Sequence, residues 1–272
     1  TGSKTMRISV RIDSKAAQAQ LRRWGGEFRE KVQKAVAQVL QSADRAVAAS
    51  HRVYDAAELA LDSLAHDLLC NPESVVGDDP VQIVPLEEIA VLRRGRFSHR
   101  PRNEPRLYST EGEFPFVQTG DVQRARRFLR DYTQYLSGEG VGYSRSVPAG
   151  TLLVTIAAVI GATAYTTRTT YLPDSVVSVE PASTTRSSYL ELLLRGLRRR
   201  LEQEVATQNT QKNLSLELLG AVKVPLLPPA AQESLEQTAE SLWTLVDTSG
   251  RHVGHTRRMQ ARLREALLRG QA

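Results

Sequence analysis

Arginine is concentrated in two short stretches of this 272-residue chain, and that residue type suits the binding of phosphate or of guanine edges. The planar guanidinium group presents paired N–H donors, which match two phosphate oxygens or the O6 and N7 atoms of guanine. A basic stretch can also be an ordinary solvated surface, so charge alone leaves both interpretations open. The first stretch holds Arg93, Arg94, Arg96, Arg100, Arg102 and Arg106, and the second holds Arg124, Arg126, Arg127 and Arg130.

The first stretch also contains His99 and Asn103, which could contact a base edge or serve as surface residues. Gly95, Pro101 and Pro105 interrupt it, so it cannot form one continuous basic helix. The sequence therefore predicts a loop that carries these side chains.

Two further polar groups could contact bases. Gln118, Thr119 and Asp121 follow an apolar strand; a glutamine can pair with adenine through two hydrogen bonds, and an aspartate can accept one from cytosine. The alternative is a β-turn that only reverses the chain. The second group is Gln208, Gln211 and Lys212, which lie before an apolar segment. Asn213 and Ser215, which follow them, suit helix capping, but these three side chains do not.

Motifs for catalysis or cofactor binding are not recognised in the sequence. The glycine run at 138–142 lacks a following helix pattern, and neither a phosphate-binding Gly-x-x-x-x-Gly-Lys-Ser/Thr loop nor a Gly-x-Ser-x-Gly elbow is present. We therefore expect no catalytic residue, no cofactor and no metal site. The histidines that lack a metal-ligand pattern are His51, His66, His252 and His255.

Charge, cysteine content and apolar stretches indicate what class of protein to expect. Lys and Arg outnumber Asp and Glu by 36 to 30, which gives a net charge of +6. Cys70 is the single cysteine, so an intrachain disulfide is impossible and a reducing cytoplasm is expected. The longest apolar stretch, 152–164, is shorter than the ~18 residues of a membrane span, and no signal peptide is recognised.

Two long helical patterns enclose a mixed region. Apolar residues at helical spacing predict a first helix from about Ser14 to Leu69, roughly 80 Å long, after a strand-like stretch at 8–12. A second pattern predicts a helix from Ala231 to Leu268, with Gly250 and Gly254 as points of bending or a local break. Helices of such length need a partner helix, so an antiparallel coiled coil is expected.

The region between the helices alternates strand and helix signals. Residues 71–80 are rich in Asp, Gly and Pro and predict a linker. The expected domains are residues 1–72 with the first helix, a linker at 73–85, a domain at 86–230 and the last helix at 231–272. The predicted strands are Phe114–Gln118, Thr151–Ile156 and Ser175–Val179, and the predicted helix is Ser187–Val205.

Four segments occur in a characteristic order, and an entry segment, VPLEEIAVLRRG at Val84–Gly95, precedes them. The four segments are GEFPFVQTGDV (Gly112–Val122), VPAGTLLVTIAAVIGATA (Val147–Ala164), TQKNL (Thr210–Leu214) and VKVPLLPPAAQ (Val222–Gln232). Together with the entry segment they resemble the target recognition domain of the specificity (S) subunit of type I restriction-modification systems, over roughly 84–232.

The resemblance implies an α+β fold with one target recognition domain, a twisted β-sheet and two long helices. It also implies a non-catalytic protein that binds double-stranded DNA and docks on methyltransferase subunits, with a restriction or translocase subunit as a further partner. A homodimer would bring two such domains together. From the helix lengths, the first helix is expected to project beyond the last one and to need cover from another protein, and Leu61 and Leu64 are expected to be buried in the helical pair and in partner assembly. The alternatives are a helical scaffold without sequence-specific DNA binding, or the recognition end of a larger methyltransferase.

Overall fold

The structure is a computed structural model that describes residues 26–76, 81–110, 112–207 and 213–269. The strand expected at 8–12 and the candidates Gln208, Gln211 and Lys212 lie outside these ranges. The helices are α1 (Gly26–Cys70), α2 (Pro72–Val76), α3 (Leu86–Ile89), α4 (Thr119–Arg124), α5 (Gly138–Val141), α6 (Ser187–Thr207), α7 (Leu216–Ala221) and α8 (Pro229–Arg269). The strands are β1 (Gln82–Pro85), β2 (Ala90–Arg94), β3 (Phe114–Pro115), β4 (Phe128–Leu129), β5 (Tyr135–Leu136), β6 (Arg145–Val147), β7 (Leu152–Ala157), β8 (Val159–Thr166), β9 (Thr170–Leu172), β10 (Val176–Pro181) and β11 (Lys223–Leu226).

The chain divides into two compact units, residues 1–58 with 244–272 and residues 59–243. In the first unit, α1 and α8 lie side by side. Arg257 donates to Nε2 of His51 over 2.9 Å, and the Gln260 amide donates to Asp44 over 2.8 Å. Because the later residue of α8 meets the earlier residue of α1, the helices run in opposite directions. Coiled-coil packing along their length stays a prediction.

Helix α8 is continuous through Gly250 and Gly254, so the expected break does not occur. A Cβ at Gly254 would meet only the Arg258 guanidinium, at 3.5 Å. Buried Val253 keeps the apolar face intact at this point. A helix glycine costs only about 1 kcal/mol relative to alanine, which one buried apolar side chain can offset.

A five-stranded sheet forms the centre of the second unit, in the order β2-β10-β7-β8-β4. The first three pairings of that order are antiparallel, and β4 pairs with β8 in parallel. Its strands are rich in Val, Ile, Leu and Ala, and one core cluster on it includes Leu129, Leu153 and Val176. The strand and helix predictions for this region are confirmed, with strand shifts of a few residues.

A β-bulge between Val154 and Ile156 interrupts the pairing of β7 with β8. The buried Thr155 hydroxyl accepts a hydrogen bond from the Ala162 backbone N–H over 3.0 Å, so the side chain replaces the lost ladder partner. The motif residue Thr155 therefore serves the sheet.

Helix α6 contacts the sheet on one side and α1 on the other. At the sheet, a Cβ on Gly161 would lie 3.0 Å from Cα of Arg198. At α1, a Cβ on Gly196 would lie 2.4 Å from the Ala65 carbonyl oxygen. The two helices therefore approach within backbone contact at Gly196.

The expected burial of Leu61 is found within the chain itself. Leu61, Ala65 and Leu68 are fully buried in the second unit, at the helical spacing that places them on one face of α1. Asp62, on the adjoining turn, accepts from Nε of Arg195 on α6 over 2.7 Å. The chain itself thus covers the apolar end of α1, and Leu64 is half-buried.

The segment expected to be a linker carries structure. Helix α2 begins at Pro72, directly after α1, and β1 pairs antiparallel with β11, with Gln82 opposite Leu226 and Pro85 opposite Lys223. The expected capping is confirmed for Ser215, whose hydroxyl accepts from the Leu218 backbone N–H over 3.0 Å. Asn213 instead forms a β-bridge to Ala157 at the end of β7.

A buried ion-pair cluster joins the sheet, α6 and α8. Arg127 Nε donates to both oxygens of Glu191, at 3.2 and 3.1 Å, and its Nη1 donates to Glu240 at 2.8 Å. The guanidinium carbon lies 5.2 Å from the Trp243 ring centroid and 5.7 Å from that of Tyr165. Burial raises the pKa of Glu191 to about 7, although Arg127 opposes the rise.

This shift predicts that Glu191 makes stability depend on pH. The folded protein keeps the Glu191 proton where the unfolded chain, with a pKa near 4.5, has lost it. The stabilisation is therefore complete below pH 4.5 and is lost as the pH rises to about 7, with a full effect of about 3 kcal/mol. Glu191→Gln should flatten the wild-type decline over that window when urea unfolding is measured at several pH values. Parallel pH profiles for the two proteins would contradict it.

Candidate nucleic-acid interface

The first arginine stretch is part strand and part loop. Arg93 and Arg94 end strand β2, so the prediction of a loop is wrong for them and is confirmed from Arg96 onward, apart from a 3₁₀ turn at Pro105–Leu107. Strand pairing determines the positions of Arg93 and Arg94, because they lie opposite Ser178 and Val177 in β10.

Three of the six arginines in this stretch are paired with acidic side chains. Arg106 and His99 hold the pKa of Glu104 below its usual value. Pairs between exposed side chains contribute little to stability, so a phosphate can replace the carboxylate at little cost. The pairs join Arg93 to Glu180 at 2.9 Å, Arg102 to Asp174, and Arg106 to both Glu104 and Glu139.

Three other arginines differ in what they contact. Arg94 Nε donates to the Asp174 carbonyl over 2.6 Å, and Arg100 donates to the carbonyls of Phe97 and His99, each over 2.7 Å. The exposed guanidinium of Arg96 has no partner among the residues that the structure describes. Arg96 is thus the arginine of this stretch that can contact phosphate without giving up another bond.

His99 is held inside the loop. Its Nε2 lies 2.5 Å from a Glu104 oxygen, and its ring makes an edge contact with Tyr143 at a centroid distance of 4.8 Å. The imidazole therefore stabilises the loop and has little freedom to contact a base.

Gln118, Thr119 and Asp121 open helix α4, so the β-turn alternative is wrong. The Asp121 carboxylate is buried, and it accepts from the Gln118 backbone N–H at 2.9 Å and from the Thr133 hydroxyl at 2.9 Å. Arg124 pairs with the same carboxylate. Because its oxygens are occupied and covered, Asp121 positions the turn and leaves the set of base-contact candidates. Thr119 and Gln118 are half-buried, and Arg126 is exposed.

One surface cavity of about 360 Å³ brings together candidates from separate parts of the sequence. Arg102 and Asn103 come from the loop, and Gln118 comes from the start of α4. Sequence reasoning missed Gln134 and Ser175, because isolated polar residues carry no local signal. The complete lining is Phe97, Arg102, Asn103, Tyr108, Phe116, Gln118, Gln134, Pro173 and Ser175.

Much hydrogen-bonding capacity in this cavity is unused. Among the described residues, the side chains of Asn103, Gln134 and Ser175 have no hydrogen-bond partner. The Gln118 amide makes one long bond, 3.5 Å, to the Phe116 carbonyl. The cavity can therefore offer several donors and acceptors to a polar ligand.

The last sequence motif serves the fold. Its Gln232 is fully buried, accepts from the Arg186 backbone N–H at 2.9 Å, and donates to the carbonyls of Thr184 and Leu227 at 3.1 and 2.9 Å. This amide fixes the first turn of α8 against the segments before α6 and after β11. The motif thus marks a structural junction.

Neither a metal cluster nor a membrane helix is found in the described ranges. No group of three or more His, Cys, Asp or Glu side chains there could hold a metal ion. None of the described helices combines the length and the apolar character needed to cross a bilayer.

Comparison with solved structures shows a shared fold. The HsdS subunit from Thermoanaerobacter tengcongensis gives a TM-score of 0.56 at 15% identity, over 90% of this chain and 59% of that one. A type I restriction-modification S subunit from M. genitalium gives 0.62 at 16%, over 85% and 59%. A structure described as showing the assembly and conformational transition of the type I R-M system gives 0.56 at 17%, over 87% and 58%. The chain spans less than two thirds of the length of each.

The model of one protein family matches almost all of the second unit. The sequence model for the type I restriction modification DNA specificity domain matches residues 79–247, which is more than half of the chain. The matched region contains the sheet, the arginine stretches and the cavity described above. The chain belongs to the family of type I restriction modification DNA specificity domains.

Proposed function

We propose that this chain binds duplex DNA and selects a short base sequence through the loop at 96–106 and the start of α4. The convergence of Arg102, Asn103 and Gln118 on one cavity supports the proposal best. Amide and guanidinium groups are the side chains that pair with base edges, and the surrounding arginines suit phosphate. Phosphate contacts would position the domain, and the amides would supply specificity.

The same proposal gives the chain no catalytic step of its own. A separate methyltransferase would modify the selected site, and a translocating nuclease would be the further partner. The fold match to a structure concerned with assembly of the type I R-M system supports such docking. Methyl transfer by the purified chain without a methyltransferase would contradict this part of the proposal. Its expected site of action is the cytoplasm.

The test separates base contact from phosphate contact. After selection of the target from random duplexes, Gln118→Ala should weaken binding to the target by about 1–3 kcal/mol and relax one base position. Arg96→Ala should weaken all duplexes alike and lower the salt slope by about one unit. Fluorescence anisotropy titrations at several salt concentrations measure both effects.

Gln123→Ala is the matched control. Gln123 is exposed on α4, the helix that Gln118 immediately precedes, and it does not line the cavity. Its affinity and base preference should equal those of wild type. If Gln118→Ala weakens target and random DNA equally, Gln118 does not recognise a base.

A further inference from the structure

The cavity beside α4 combines an aromatic wall with free polar groups. Phe97 and Phe116 lie 5.1 Å apart between ring centroids, and Tyr108 lies 6.1 Å from Phe97 and 6.4 Å from Phe116. Phe97, Tyr108 and Phe116 all line the cavity, but Phe97 and Phe116 belong to a core cluster and are only 3% and 4% exposed. The half-buried Tyr108 therefore has the most ring surface left to contact a flat ring system.

The polar side of the cavity favours a ligand with mixed hydrogen-bonding edges. Asn103, Gln118 and Gln134 are amides, and each presents an acceptor oxygen beside two N–H donors. A simple anion would use only the donors, and a cation would use only the acceptors. A nucleobase edge alternates donors and acceptors, so it can use both.

The dimensions also favour a single base. At about 360 Å³ the cavity is at the small end of the range for ligand sites, so it suits one planar ring system. Arg102 lines it while paired with Asp174, whose side chain is about 31% exposed. That guanidinium can shift to a phosphate next to an inserted base, because an exposed pair is weak.

We propose that this cavity holds one nucleobase displaced from the bound duplex. This inference rests on the proposed function. It adds that part of the sequence specificity comes from a base that has left the stack, outside the DNA groove. Amides on the polar side contact the base edge, and Tyr108, with the small accessible parts of Phe97 and Phe116, contacts its ring. Displacement requires breaking one base pair, so the protein binds best where that pair is already weakened.

The experiment uses the full chain and the target chosen from random duplexes. A mismatch is introduced at each position in turn, and affinity is measured by fluorescence anisotropy. At one position the mismatch should raise affinity about tenfold or more, because the cost of unpairing has been removed beforehand. Asn103→Ala combined with Gln134→Ala should lose most of that gain, whereas Gln123→Ala should retain it.

Each outcome has a separate meaning. Selection that succeeds without any gain from a mismatch, or an equal gain in the double variant, overturns the displaced base and leaves the proposed function standing. Failure to bind any duplex, alone or with its methyltransferase, overturns both. Deoxynucleoside monophosphates are titrated in parallel without DNA; saturable binding at micromolar concentrations would assign the cavity to a free nucleotide and overturn the displaced base.

Discussion

Replacing Arg127 with leucine is expected to lower the free energy of unfolding by about 3–5 kcal/mol at pH 8. The Arg127 side chain is 11% exposed and that of Glu191 is 4% exposed, so the variant leaves a buried carboxylate without its cation. Burial opposes the charge on Arg127, but hydrogen bonds and attraction from Glu240 and Glu191 outweigh it and raise its pKa. The loss should be smaller at pH 5.5, where Glu191 can take up a proton.

Urea unfolding of wild type and variant at both pH values measures this difference. Arg130→Leu is the matched control, because Arg130 is exposed and has no partner in the described part of the chain; its effect should stay within about 0.5 kcal/mol. Adding Glu191→Gln to Arg127→Leu should recover part of the loss by removing the unpaired carboxylate. Equal effects of Arg127→Leu and Arg130→Leu would show that the buried cluster does not stabilise the fold.

Gly196→Ala is expected to lower the free energy of unfolding by about 3 kcal/mol. The added Cβ would lie 2.4 Å from the Ala65 carbonyl oxygen and 2.6 Å from Cδ1 of Leu69, so α1 and α6 must separate. Alanine's better helix propensity, worth about 1 kcal/mol, is too small to compensate for the clash. Thermal unfolding followed by circular dichroism measures the loss.

Gly254→Ala is expected to change the free energy of unfolding in the opposite direction in the same assay. Its Cβ would meet only a flexible guanidinium at 3.5 Å, so helix propensity should raise stability by up to about 1 kcal/mol. An unchanged or higher melting temperature for Gly196→Ala would show that the two helices do not touch at that position.

Sequence periodicity predicted the regular elements well where burial determines them. Strand β7 and helix α6 are almost wholly apolar on their buried faces, so their patterns are strong and their positions were correct within a few residues. Of the bend or local break expected in α8, the break is wrong, because tertiary packing overrides a weak glycine preference. The sequence did not predict which part of the chain buries Leu61, because a helix pattern shows an apolar face but does not identify what packs on it.

The candidate site was predicted less completely, for electrostatic and geometric reasons. Counting arginines overestimated the free positive charge, since carboxylates distant in sequence neutralise several of them: Arg93 pairs with Glu180. Asp121 was predicted to contact a base because it is a hydrogen-bond acceptor in a polar segment after a strand. The sequence does not show that its carboxylate is buried in the fold. Gln134 joined the cavity only through folding, since nothing in its sequence neighbourhood marks it.

The pairing of β1 with β11 places the entry and the exit of the sheet-containing segment next to each other. A segment whose two ends are adjacent can be removed, replaced or rejoined elsewhere with little strain on the chain outside it. The portion between Pro85 and Lys223 could thus be exchanged through one antiparallel strand pair, provided that the replacement keeps the contact of α6 with α1 at Gly196 and the pairing of Arg127 with Glu240. If the chain selects bases as proposed, exchange within this boundary changes the bases selected while the register of the bounding strands stays the same.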